Sequence, residues 1–288
     1  MANTLITQQV GPVCAQALGL LHTQVILPNL LRRDVSVSGN IAVGDTVNIR
    51  KHATLTVNKF DRATGIVTQD VVESSIPVQI SDVYDVSVAL PAEMLTTDLT
   101  SFGDQVTLPA TVAIAQAMEA QCVALLKGAP GTVHDVIKAT PVQSIIDAMA
   151  KLNQNMVPLG GRVIVAGTTV AALLKQSENL LRVDASGSTG ALRDATIGRV
   201  AGATVYENPY VAADEAFIFT ENDAAVFLSR ALDSMGTSFS SSQTFEGLAI
   251  RTVVDYDITK KQTVASFDTF VGSAILEPKR IVKCKVKP

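Results

Sequence analysis

Hydrophobic positions change their period several times along the chain, and each change predicts an element. Near the start, Leu18, Leu21 and Val25 recur close to helical spacing until Pro28, which predicts one amphipathic helix or arm broken at that proline. From Ile41 to Ile80 the period drops to two, with Val47 and Ile49, Leu55 and Val57, then Ile76, Val78 and Ile80. Asp61-Arg62-Ala63-Thr64-Gly65 lies between two such runs and predicts a hairpin tip with nothing apolar around it. The whole is a long ribbon whose outer strands hold too few apolar residues to bury both faces. A ribbon of that kind is marginal alone and lies on something else.

The period then lengthens again. Pro109 after Thr107 opens a long helix and Gly128-Ala129-Pro130 closes it; Ile114, Met118, Cys122 and Leu125 form its stripe. Six alanines line much of the rest, and the one charge before Lys127 is Glu119. A stripe of this kind reads as core. An α/β pattern follows. Thr140-Pro141 starts a helix with Val142, Ile145, Met149, Leu152 and Met156 on one face. Pro158-Leu159-Gly160-Gly161 turns into a buried strand, Arg162 to Ala166, and Gly167-Thr168-Thr169 opens a short helix holding Leu173 and Leu174. A polar loop, Asp184 to Gly190, interrupts the order. Later strands are Ala203 to Tyr206, Ala216 to Phe219, Leu248 to Ile258 and Val264 to Leu276. In the first of the last two, Leu248, Ile250, Thr252, Val254, Tyr256 and Ile258 share a face, with Tyr256 in the core.

Composition narrows the class. With 288 residues, 47% hydrophobic and 17% charged, the chain is long enough for a core without staples and too apolar to be disordered. Positive mean hydropathy without a membrane span suggests apolar surface buried between subunits. The uncharged stretch Val10 to Leu31 contains Pro12, Gln16, His22, Gln24, Pro28 and Asn29, which a bilayer core penalises, and no basic region precedes it. Net charge is −4, which excludes a generally basic nucleic-acid binder.

Candidate chemistry is sparse. Cys14, Cys122 and Cys284 match neither a disulfide framework nor a zinc spacing and read as reduced thiols of a cytoplasmic protein. His22, His52 and His134 stand apart. Gly187-Ser188-Thr189-Gly190 lacks the lysine of a phosphate loop. Asp255-Tyr256-Asp257 puts two carboxylates on one strand face, where an acid/base pair or cation site competes with plain solvated residues. Lys279, Arg280, Lys283, Lys285 and Lys287 crowd the C-terminus; contact with phosphate competes there with a lysine-blunted edge strand, Ile281-Val282 to Val286, which is favoured.

The order of several segments carries more. Arg32-Arg33-Asp34 follows the uncharged N-terminal helix, and Gly44-Asp45-Thr46-Val47-Asn48-Ile49-Arg50-Lys51 opens the ribbon. The Ala-rich helix, Gly161-Arg162-Val163-Ile164-Val165, the run Ala191 to Gly202 continuing into Val205-Tyr206-Glu207-Asn208-Pro209, Gly247-Leu248-Ala249-Ile250-Arg251 and Tyr256-Asp257 complete it. Together they resemble the major capsid (coat) protein of tailed bacteriophages, in the short-tailed phage branch of the phage/herpesvirus-type capsid fold.

That resemblance implies an α+β fold with an N-terminal arm at 1–35 and an extended β-hairpin loop at 36–82. A peripheral domain at 83–139 would hold a spine helix at about 104–128. An α/β axial domain at 140–255 and C-terminal strands at 256–288 returning to the peripheral domain would complete it. It implies a structural subunit, not an enzyme, without cofactor, metal or membrane, forming hexamers and pentamers of an icosahedral shell in the virion. A separate scaffolding protein, a portal, non-specific contact with packaged double-stranded DNA and assembly in the host cytoplasm come with it. Lys59, Asp61 and Arg62 at the loop tip would touch the neighbouring subunit. Lys59 beside Asn58 also invites covalent crosslinking, although an exposed lysine needs no such role. Two other readings stand beside it: the shell of an encapsulin-type nanocompartment around a cargo enzyme, and an α/β enzyme or ligand-binding protein with an unrecognised site.

Overall fold

The computed structural model describes residues 14–19, 21, 25–33, 46–51, 55–60, 62, 65–66, 68–91, 103–131, 133–177, 198–232, 240–245 and 247–287. Its elements are built around two sheets that share one helix as a wall. That helix, α2 (Leu108–Gly128), follows a π-helical turn at Gly103–Thr107, and a four-residue helix, α1 (Leu27–Leu30), packs near it. Pro109 lies in the first turn of α2, where its missing N–H costs nothing, and Pro130 follows its end. Ile114, Met118 and Cys122 are buried as the stripe predicts, but the last buried position is Leu126, with Leu125 only partly covered.

The first sheet has six strands in the order β4 (Val133–Val136), β13 (Ile281–Val286), β8 (Glu215–Thr220), β5 (Arg162–Ala166), β7 (Ala203–Glu207) and β6 (Arg199–Val200). Every residue of β5 is buried, because both faces are covered. Val163 and Val165 join the core that contains Ile114, Met118 and Phe217, while Ile164 and Ala166 meet Ile145, Met149, Leu152, Val170 and Leu174 of α3 (Pro141–Gln154) and α4 (Thr168–Lys175). Continuous apolar sequence in β5 and β8 is the signature of this sandwiched position.

The second sheet runs β10 (Ser240–Phe245), β11 (Leu248–Asp257), β12 (Gln262–Ile275) and β3 (Asp82–Pro91), and β9 (Ala225–Arg230) extends it along the far end of β12. One of its faces, with Phe267, Ala265 and Ile250, closes the same core as α2. Sheet membership therefore cuts across segments in sequence. Residues 225–257 belong with β3 and β12, while β13 returns to the sheet of β5 and β8.

The ribbon root is β1 (Thr46–Lys51) paired antiparallel with β2 (Ser74–Gln79). Ile49, Val78 and Ile80 pack against Val226, Leu228 and Phe270, which fixes the ribbon to β9 and β12. The crossing is close. A Cβ at Gly272 would stand 2.6 Å from the Gln79 carbonyl oxygen and 3.0 Å from the Ile80 Cα, so only glycine lets β2 lie over β12. A Lys51–Glu277 ion pair at 2.7 Å adds a second tie.

Several expectations need correction. Pro28 does not end a single helix. Residues 14–19 form one helical piece and Pro28 sits in the first turn of α1, a position that favours proline. Met156 is 92% exposed, because the chain leaves α3 at Gln154 and takes a left-handed turn at Met156 itself. Tyr256 is 48% exposed, since the outer end of β11 runs past the core. The strand at 281–286 is no edge. It lies between β4 and β8, parallel to one and antiparallel to the other. Helix α3 starts at Pro141 as expected, yet Thr140 gives no side-chain cap; Ser144 instead donates to the Thr140 carbonyl and accepts from the Ile137 N–H.

The close crossing yields a test. Gly272→Ala should lower the free energy of urea unfolding by about 1–3 kcal/mol, the usual cost of overpacking. Gly160→Ala, with open space around it, should change it by less than about 0.5 kcal/mol.

Candidate assembly surface

The ribbon stem pairs Thr46 with Gln79 and Lys51 with Ser74. Carried outward one residue per strand, that register brings Thr56 opposite Gln69, and these two are hydrogen-bonded. The Thr56 N–H donates to the Gln69 Oε1 at 3.0 Å, and Gln69 Nε2 donates to the Thr56 carbonyl at 2.5 Å. Further out, Arg62 lies in a turn, within the tip that the sequence predicts. Extended at period two, this register puts Leu55, Val57, Ile66 and Val72 on the side of Val47, Ile49, Ile76 and Val78 and the exposed Phe60 and Val71 on the other, while ladder pairing of the ribbon among the described residues is confined to 46–51 and 74–79. At the inner end Ile49 and Val78 are buried, with Val47 and Ile76 half-buried. The outer part is in water, with Leu55 58%, Val57 99%, Ile66 83% and Val72 78% exposed.

Lys59 and Arg62 are both exposed at the outer end, and Asp61 lies outside the described residues. The expectation of a tip with nothing apolar around it needs correction: Phe60 is 64% exposed beside Lys59, and the exposed Ile66 follows Gly65. His22, His52 and the loop Gly187 to Gly190 also lie outside the described residues.

The remaining candidates are committed to the chain's own architecture. Lys283 Nζ donates to the carbonyls of Ala129 (2.7 Å) and Lys127 (3.4 Å), closing the C-terminus of α2 where carbonyls lack partners and the helix dipole favours a cation. Arg280 pairs with Asp223 at 2.6 Å, Lys285 with Asp214 at 3.5 Å and Lys287 with Asp135 at 3.1 Å. Four of the five C-terminal cations, all but Lys279, thus have partners within the chain, and edge protection does not account for them. The Asp257 carboxylate accepts from the Thr259 N–H and hydroxyl and from the Lys260 N–H, and these bonds hold it below the usual carboxylate range. Asp255 accepts from the Tyr256 N–H. Asp257 thus shapes the β11–β12 turn, while Asp255 bonds within its own strand. His134 is half-buried in β4 opposite Cys284, and no cluster of metal-ligating side chains occurs among the described residues.

Sequence reasoning passed over Glu119. It is the one acidic residue in α2 and is 1% exposed. Its Oε1 accepts from the backbone N–H groups of Ile26 and of Leu27 (2.9 Å), and its Oε2 accepts from Asn208 Nδ2 at 2.7 Å. Burial pushes the carboxyl above its ordinary range, and these three bonds pull the other way without cancelling the rise. A lone charge inside an alanine-rich apolar helix was the available signal.

Comparison with known proteins now fits this architecture. A family profile described as phage capsid protein matches residues 91–284. The chain belongs to the phage capsid protein family. No curated protein sequence matches it. Among solved structures it is similar to Mycobacterium phage Che8, at 19% identity over 90% of each chain with a TM-score of 0.67. It is also similar to the capsid of the cyanophage P-SCSP1u, at 12% identity over 91% of this chain and 88% of that one, with a TM-score of 0.66. A virus-like particle from Pyrococcus furiosus superimposes less well, with a TM-score of 0.53 at 11% identity over 95% and 98% of the two chains. The nanocompartment reading is accordingly not favoured. As a capsid family member with a major capsid protein fold, the chain is a structural shell subunit that associates with copies of itself, and its place is the virion capsid.

Thiol chemistry checks the packing of this capsid subunit. Cys14, Cys122 and Cys284 are buried, and loss of hydration raises all three thiols, Cys284 to about 12. A thiol-directed reagent at pH 8 should label the native subunit hardly at all within minutes and all three cysteines in denaturant.

Proposed function

We propose that the subunit builds the shell by laying its ribbon, apolar face down, on a neighbouring copy. The observation that carries this is the exposed outer half of a face whose inner half is core. Magnitudes favour the apolar contact over the tip charges. Covering a Leu, Val or Ile side chain is worth about 1.5–3 kcal/mol, whereas an exposed ion pair at Lys59, Asp61 or Arg62 is worth about 0–1 kcal/mol. The three tip residues then set orientation and salt dependence, repeated across every subunit of the shell. Assembly by a heterologous contact of this kind closes only where the rotation between copies closes, as in the rings of hexamers and pentamers.

The two sheets give the proposed domains their content. The domains proposed are a peripheral domain at 83–139, an axial domain at 140–255 and C-terminal strands at 256–288. The packing of α2 against the five-stranded sheet and of α3 and α4 against the six-stranded sheet supports two separate bodies, although β10 and β11 pair with β12 and β13 pairs with β4 and β8. The extended loop spans about 36–82. The chain acts by burial and not by catalysis, which is supported by the commitment of Asp255, Asp257 and the C-terminal cations to intrachain bonds. Because Arg280, Lys283, Lys285 and Lys287 are paired within the chain, contact with packaged double-stranded DNA is weak and non-specific, in keeping with a net charge of −4. Buried thiols suit assembly in a reducing host cytoplasm. A scaffolding protein directs closure and a portal occupies one vertex.

The test separates folding from assembly. Val57→Glu combined with Ile66→Glu should leave the melting temperature of the free subunit unchanged and abolish shells seen by electron microscopy after co-expression with the scaffolding protein. Lys59→Glu with Arg62→Glu should weaken assembly and make it more salt-sensitive. Protease should cut after Lys59 or Arg62 in free subunits and far more slowly in shells. Unimpaired shells from the Val57/Ile66 variant would sink the proposal.

A further inference from the structure

The buried Glu119 carboxylate joins three parts of the chain that have no covalent reason to move together. Ile26 and Leu27 belong to the N-terminal segment, Glu119 to the middle of α2, and Asn208 to the loop that leaves β7 of the six-stranded sheet. Ile26 and Leu27 begin α1, so their N–H groups have no partner within that helix and depend on the carboxylate. Asn208 is fully buried and its amide orientation is fixed from behind. The Tyr210 N–H donates to Asn208 Oδ1 at 2.9 Å, while the Asn208 N–H donates to the Ala166 carbonyl at 3.0 Å. Nδ2 can therefore only face Glu119, and the carboxyl sees nothing but donors.

We propose that Glu119 is a latch that couples docking of the N-terminal segment to the position of the six-stranded sheet on α2. If the sheet shifts so that Asn208 withdraws, Oε2 is left buried and unpaired, a costly state for a charged group. The chain relieves that state by letting water reach the carboxylate, and the route is release of the Ile26 and Leu27 N–H groups. By linkage the converse holds: release of the N-terminal segment loosens the hold on Asn208. The opposed contributions at this site, burial against three charge-assisted bonds, keep the latch reversible. Glu119 in turn raises the already desolvated Cys122 thiol one turn along α2, and no ion pair to Glu119 occurs among the described residues. The latch is independent of where the ribbon docks.

Hydrogen exchange on the full-length free subunit tests it, because the hydrogen bonds of Asn208 go to Glu119, Tyr210 and Ala166 and not to Ile26 or Leu27. In Asn208→Ala the Ile26 and Leu27 amides should exchange about 5- to 150-fold faster, the usual range for coupled sites, while the Ile164 and Val165 amides of β5 keep their rates. Asn208→Ser serves the same purpose if the alanine variant does not fold. Unchanged rates at Ile26 and Leu27, with faster exchange confined to Tyr210, would overturn the proposal. So would equal acceleration at every amide including those of β5, which would mean general destabilisation in place of coupling.

Discussion

An apolar face that outruns its own core is the constraint on which this protein turns. Ile49 and Val78 lie in the same face as Val57 and Ile66, yet the first pair is buried by β9 and β12 and the second stands in water. Among the described residues nothing covers the outer half. Among those residues too the body closes on itself: two sheets close on α2, Arg280, Lys283, Lys285 and Lys287 find partners within the chain, and Asp257 is used by the β11–β12 turn. On the proposed reading, the exposed part is what another copy covers.

Rigidity at the root makes this useful. A ribbon that swung freely would lose much of the gain from docking to the cost of ordering itself. Gly272 allows β2 to cross β12 in contact, three apolar residues fasten it, and the Lys51–Glu277 pair ties its edge. The body thereby presents the exposed face at a fixed angle. The same body holds Glu119, where the N-terminal segment, α2 and the six-stranded sheet meet on one carboxylate. One end of the molecule is braced for contact and the other is hinged on a buried charge.

The sequence showed most of the fold through its periodicities, and the failures have physical causes. β5 was legible because a strand covered on both faces is uniformly apolar, and α2 because proline and glycine mark its ends. β9 and β10 were missed: Ser240 to Ser242 give β10 no apolar alternation, and β9 is a short buried run between turns. The strand β13 looked like an edge because its lysines alternate with apolar residues. In the sheet those lysines reach past the layer to carbonyls and carboxylates of neighbouring elements. The tip charges at Lys59, Asp61 and Arg62 drew attention away from Leu55, Val57, Ile66 and Val72, whose common face emerges only once the register of the hairpin is known. Glu119 shows the limit most plainly, since its partners are about 90 residues away in either direction and no local pattern connects them.

Electron cryo-microscopy of assembled shells tests the central claim most directly. The account predicts that density for residues 55–72 lies against a second copy of the chain, with Leu55, Val57, Ile66 and Val72 covered by it. A ribbon that projects into solvent in the finished shell, or folds back on its own subunit, would contradict it.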